Sequence, residues 1–186
     1  MIEQPSRQVN WSSGAVPDLP DLPGWPPDDF NNKNNHSIVV RVDFDQASFL
    51  FTGDLEEPSI ERLVERYGPA MLNVDVHQVG HHGSRNGTTL SLVGAMSLDI
   101  AVISVGPHDD HRPFTAWQHG HPRRDAVEHL KAGITRTRAP KTVRIASAQQ
   151  IFYTEQMLDA IYATGWDGTV RVRATAAGDY VVDTEH

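Results

Sequence analysis

The sequence predicts an α/β (α+β) domain with a mixed sheet and flanking helices. Three observations carry this. Phe49-Leu50-Phe51 is a short apolar run that stops at Thr52-Gly53-Asp54, where Gly53 permits a tight turn and leaves Asp54 just past a strand end. Glu56 to Tyr67 sets Ile60, Leu63, Val64 and Tyr67 on one helical face. Leu72 to Val79 alternates like a strand and runs into Gly80-His81-His82-Gly83-Ser84. Two strands joined through a helix form a crossover unit, which favours parallel strands with their carboxyl ends on one edge. Open α/β sheets bind ligands at such edges. Asp54 and the His81/His82 pair are therefore expected to meet in space.

Taken in order, residues 1 to 36 form an extended lead-in. Pro17, Pro20, Pro23, Pro26 and Pro27 punctuate it, Asn31, Asn32, Asn34 and Asn35 follow, and no apolar periodicity appears. Leu19, Leu22 and Trp25 have the spacing to dock in extended form. Residues 37 to 186 form the folded part. Ser37 to Phe44 reads as a strand rich in β-branched residues, with Arg41 and Asp43 facing out. A short connection at Asp45-Gln46-Ala47 returns it to Ser48 to Phe51. Beyond Ser84, Thr88 or Thr89 caps a short helix over Leu90 to Met96. Asp99 to Val105 is continuously apolar, the mark of a strand buried on both faces. Pro122 opens a helix that continues over Asp125 to Lys131, with Ala126, Val127 and Leu130 on its apolar face and Gly133 at its end. Thr142 to Ile145 reads as an outer strand. Met157, Leu158, Ile161 and Tyr162 are spaced like a helical face ended by Gly165. Thr169 to Arg173 and Tyr180 to Val182 make a hairpin around Ala177-Gly178-Asp179.

Composition narrows the function classes. The chain of 186 residues is long enough for one domain with a real core. Its net charge of −8 opposes binding of a polyanion, so composition gives no nucleic-acid signal. It has no cysteine, so a metal site must use His and carboxylates. No apolar run approaches the roughly 20 residues of a membrane span. No signal-peptide pattern opens the chain, and the default compartment is cytoplasmic.

An Asp and a His at one sheet edge suit a divalent ion such as zinc. Against this, Asp54 can be a plain helix cap and the histidine pair a polar loop. Ser84, Arg85 and Asn86 flank the same edge, where they either contact an oxyanionic substrate or satisfy the loop backbone. His36 reads as a loop side chain. His108, His111, His119 and His121 crowd a long loop, which a solvated polar segment also explains.

FTGD followed by VGHHGS resembles the second half of a metallo-β-lactamase-fold hydrolase. More narrowly, it is similar to the metallo-hydrolase domain of ComEC-type competence and DNA-uptake proteins. The preceding NNKNNHSIVV and the later AVISVG and Gly120-His121-Pro122 fit the same pattern, so the resemblance covers about residues 31 to 135. It implies an αββα sandwich and a site of one or two zinc ions. Asp54 would bind or bridge the metal, and His81 or His82 would be a ligand. His121, matching the Gly-His-Pro, is a candidate extra ligand.

The family's first metal motif, His-x-His-x-Asp-His, is absent from this sequence. The sandwich is accordingly expected to be incomplete, as in a fragment, a split half or a degenerate homologue. The segment from about 140 to 165 resembles an insertion. The expected function is zinc-dependent hydrolysis of a small molecule or phosphodiester, with Asp54 and His82 as catalytic residues. A working zinc site needs at least three protein ligands, and two are countable here, so the chain alone is expected to bind metal weakly and hydrolyse little. The alternative is a non-catalytic remnant or interaction module of the same fold. Half a sandwich exposes an apolar sheet face, so self-association or pairing with an N-terminal half is expected.

Overall fold

The computed structural model describes residues 31–186. The lead-in prolines from Pro17 to Pro27, with Leu19, Leu22 and Trp25, lie outside the described residues. A loop over 31–39 leads into β1 (Val40–Phe44), and β2 (Ala47–Phe51) follows through a turn with Asp45 at φ 51°. Helix α1 (Glu57–Leu72) crosses to β3 (Val76–Val79), and α2 (Leu90–Gly94) leads to β4 (Ile100–Ile103). Next come α3 (Ala116–His119), α4 (Arg124–Gly133) and the long hairpin β5 (Thr137–Ala148) and β6 (Ile151–Asp159). The chain ends with β7 (Ile161–Ala163), α5 (Thr164–Asp167) and the hairpin β8 (Val170–Ala174) and β9 (Tyr180–Thr184).

The main sheet has five strands in the order β1-β2-β3-β4-β7. Strands β2, β3, β4 and β7 are parallel, and β1 is antiparallel on the β2 edge. The expected mixed α/β architecture with flanking helices is therefore present. The crossover through α1 puts the carboxyl ends of β2 and β3 side by side, with β4 next to them.

Register and alternation assign the two faces. Leu50, His77, Ala101 and Ile161 lie in register across the sheet on one face, all essentially inaccessible. They share one core with Ile60 of α1, Leu92 of α2 and Val127 and Leu130 of α4. Full burial of such a Leu or Ile contributes about 1.5–3 kcal/mol relative to exposure. The other face is covered only in part. Tyr180 of β9 packs edge-on against Phe49 at 6.0 Å, and its hydroxyl donates to Asp75 at 2.6 Å. Nearer the β1 edge, Val40, Val42, Phe44 and Phe51 stay 44%, 44%, 48% and 39% exposed.

That pattern reverses one expectation. In β1 it is the apolar residues that face solvent, whereas Arg41 turns to the helix side. There its guanidinium donates to the carbonyls of Met71 (2.6 Å) and Asn73 (2.9 Å), which the end of α1 leaves unpaired. The strand also starts at Val40 rather than Ser37, because Ser37 is held at the carboxyl edge by its bond to Asp54 (3.1 Å). Leu72 ends α1 rather than starting β3. The helix runs past Tyr67 through a break at Gly68 (φ 53°), after which Pro69 restarts it.

The expected helix over Met157 to Tyr162 is instead β6 and β7. Met157 pairs with Lys141, and Tyr162 pairs with Val102 in the main sheet. The turn at Gln149-Gln150, with Gln150 at φ 63°, closes the hairpin and overrides the helical spacing. Only Thr164–Asp167 is helical there, fixed by the buried carboxylate of Asp167. That group accepts from the guanidinium of Arg138 (2.5 and 3.0 Å) and the Ala163 amide (3.0 Å). Pro122 precedes α4 rather than opening it, since Arg123 holds the cap position. No helix among the described residues is long and apolar enough to cross a membrane.

Candidate metal centre

Two loops at the carboxyl edge build the site. The first follows β2. Thr52 is buried, Gly53 turns at φ 57°, and the Asp54 amide donates to Ser37 Oγ. Asp54 caps no helix, because the N-cap of α1 is Glu56. Its carboxylate is thus free of the bland role the sequence allowed.

The second loop follows β3. Gly80 packs where a Cβ would sit 2.6 Å from Thr52 Oγ1, so only glycine lets the two loops touch. The His81 amide then donates to the Gly53 carbonyl at 2.9 Å. His81, His82 and Gly83 all adopt left-handed backbone, with φ of 47°, 54° and 74°. Two consecutive non-glycine residues in that region are strained, and such strain concentrates at functional sites. Gly83 fits against Pro122, where a Cβ would come within 2.8 Å of the Pro122 Cβ. The Arg123 amide donates to the Gly83 carbonyl at 2.8 Å, which brings the His121 segment alongside. The His121-Pro122 peptide is cis.

The histidines then gather. The ring of His81 lies 6.5 Å from that of His82 and 6.0 Å from that of His121, and His119 stands 5.9 Å beyond His121. His82 Nδ1 is 2.7 Å from the Ser104 carbonyl, so this nitrogen carries the hydrogen. In the neutral ring Nε2 is then a bare acceptor, and it lies 3.7 Å from Asp54 Oδ1. Two acceptors aimed at one space suit a cation between them. The His121 pKa is pushed down to about 4, first by burial and then by the neighbouring charges of His81, His119, His82 and Arg123. It is a neutral imidazole at neutral pH, the form that ligates metals. In kind, these donors fit zinc. In position two converge, and among the described residues no three such side chains stand close enough to hold one ion.

A cavity of about 360 Å³ opens beside the cluster, lined by His82, His119 and His121 together with Asp110, Phe114 and Thr115. The other expected residues fall elsewhere. Ser84 is buried, bonds Asn86 Oδ1 at 2.7 Å and accepts from the Gly87 amide, so both serve the loop. Arg85 lines a separate cleft with Glu57, Glu61 and His129. His119 lies in the cluster although the sequence favoured a solvated loop for it. Glu56 was not singled out, yet its carboxylate is 3.5 Å from His81 Nδ1. Its position two residues past Asp54 was the available signal.

Comparison with known proteins agrees with this edge. Residues 18–108 match the Metallo-beta-lactamase superfamily model, a stretch that holds Asp54, His81 and His82. The chain is 36% identical over 89 residues to the Uncharacterized protein YcaI of Escherichia coli (strain K12), covering 47% of this chain and 12% of that protein. It is 40% identical over 73 residues to Recombination protein 2 of Haemophilus influenzae, covering 39% and 9%. It is 31% identical over 83 residues to ComE operon protein 3 of Bacillus subtilis (strain 168), covering 44% and 10%. The matched stretch thus spans about a tenth of each relative's length. No solved structure matches the chain. The resemblance to ComEC-type metallo-β-lactamase domains, read from FTGD and VGHHGS, is borne out.

Proposed function

We propose that this chain, a relative of competence proteins with a metallo-β-lactamase-type domain, carries the carboxyl-edge part of a zinc-dependent hydrolase site. The observation that supports it is the approach of His82 Nε2 to Asp54 Oδ1. Asp54 and His82 would hold the metal, with the His81 and His121 imidazoles of the same cluster beside them. When bound, zinc supplies a Lewis acid that activates water at neutral pH. The Ser104 carbonyl fixes the His82 tautomer, and the Gly83–Pro122 contact holds His121 against the pair. The adjoining cavity, walled by imidazoles, admits a small molecule or phosphodiester substrate.

A second reading is an interaction module that keeps the sheet without the chemistry. The convergence of no more than two donors among the described residues, and the exposed apolar face at Val40, Val42, Phe44 and Phe51, favour it. An activated aryl phosphodiester assayed with added zinc separates the two. Slow zinc-dependent hydrolysis abolished by Asp54→Ala supports the hydrolase. Zinc-independent background rates in both proteins support the module.

A further inference from the structure

We propose that Glu56 is a positioning residue for His81, whose carboxylate accepts the Nδ1–H of that ring and leaves Nε2 as its free nitrogen. This deepens the metal-site reading above and rests on it for its purpose, though not for its geometry. Glu56 occupies the N-cap position of the 16-residue helix α1, yet its side chain makes no capping bond. It is held away from that role. Asn32 Nδ2 donates to Oε2 at 2.8 Å, and Asn34 Nδ2 donates to Oε1 at 3.0 Å. The carboxylate also lies at the positive end of the helix, which attracts its negative charge. The side chain is only 14% exposed, so the charge is held in place rather than solvated.

Glu56 Oε1 faces His81 Nδ1 at 3.5 Å. That nitrogen is buried and has no hydrogen-bond partner, a costly state for a polar atom. At 3.5 Å the contact is longer than a formed hydrogen bond, and the proposal has the two groups close to bonding distance. His81 has little other freedom. Its amide is tied to Gly53, and its Cβ backs onto Gly87, where any side chain would meet it at 2.6 Å. An ionised carboxylate only accepts, so the hydrogen must come from the ring. The hydrogen bond made by one ring nitrogen decides which nitrogen keeps its lone pair, and carboxylate partners of this kind orient metal-binding imidazoles. The Asn-rich loop before β1 thereby gains a role in the site, acting through Glu56.

A merely structural Glu56 would tie the 31–37 loop to α1 and leave the ring indifferent to its loss. The test is the His81 tautomer, read by long-range ¹H–¹⁵N NMR on the zinc-free full chain with its ten histidines labelled, and assigned with His81→Gln. The expected result is an Nδ1–H ring in the unaltered protein and a shift to Nε2–H in Glu56→Ala. Glu56→Gln, whose amide oxygen still accepts, should keep the Nδ1–H form. Asn32→Ala/Asn34→Ala, which frees the carboxylate without removing it, should give a mixture. An Nε2–H ring in the unaltered protein overturns the proposal without any variant, and so does a tautomer that none of the variants moves. Zinc binding is scored separately. Absent zinc binding with the tautomer response intact sinks the metal reading and leaves this one standing.

Discussion

His82 gives its Nδ1 hydrogen to the Ser104 carbonyl and so presents a bare Nε2 to Asp54 Oδ1, 3.7 Å away. The sequence left open which member of the histidine pair meets the metal, and this relationship is the ground for proposing His82. Replacing His82 by Ala should weaken zinc binding by about tenfold or more, and by more than His81→Ala does. Competition against a chromophoric chelator reads both. Equal losses, or a larger loss for His81, would reassign the ligand.

Gly83 should tolerate no side chain. Its φ of 74° strains any other residue, and an added Cβ would press on the backbone and ring of Pro122. Gly83→Ala is expected to destabilise the protein by about 1–3 kcal/mol in urea unfolding. It should also weaken zinc binding, because the same contact holds His121 in the cluster.

Stability should fall as the solution is acidified from about pH 6.5 to 4. His77 is fully buried and donates Nδ1–H to the Leu50 carbonyl, and burial lowers its pKa to about 4. The unfolded ring binds its proton near pH 6.5. Below that the unfolded state gains a proton the folded state refuses, so stability present above pH 6.5 is lost as pH falls toward 4. The loss from His77 is on the order of 3 kcal/mol. His121, lowered for a similar reason, acts in the same window. Urea titrations at stepped pH should show the slope, and His77→Met should remove about half of it.

The open apolar face should drive self-association. Val40, Val42, Phe44 and Phe51 lie together on the β1–β2 edge of one face, a patch of the kind that marks an interaction surface. Light scattering should show a mass that rises with concentration, and Val42→Asp/Phe44→Asp should return it to monomer. A monomer at every concentration would count against this.

The parallel crossover was legible because its signals are local and agree: an apolar run, a helical stripe, then a second run ending in glycine. The convergence of Asp54 with His81 and His82 followed from topology alone. Two kinds of feature escaped. The hairpin of β5 and β6 was missed because Met157, Leu158, Ile161 and Tyr162 satisfy helical spacing, while the deciding turn at Gln149-Gln150 has no glycine or proline to announce it. The orientation of β1 was misjudged because alternation gives two faces but not which one is buried. That depended on Arg41 reaching the end of α1 across 30 residues of sequence. Glu56 was overlooked, and His119 was read as part of a solvated loop, because their places beside the other histidines come from neighbours that only the folded chain supplies.

The most direct test is zinc content by elemental analysis of the full chain after equilibration with buffered free zinc, beside Asp54→Ala and a His81→Ala/His82→Ala double variant. Weak, saturable binding of zinc at one site is expected in the unaltered chain, with its loss in both variants. No zinc in the unaltered chain, or zinc retained equally by all three, would contradict it.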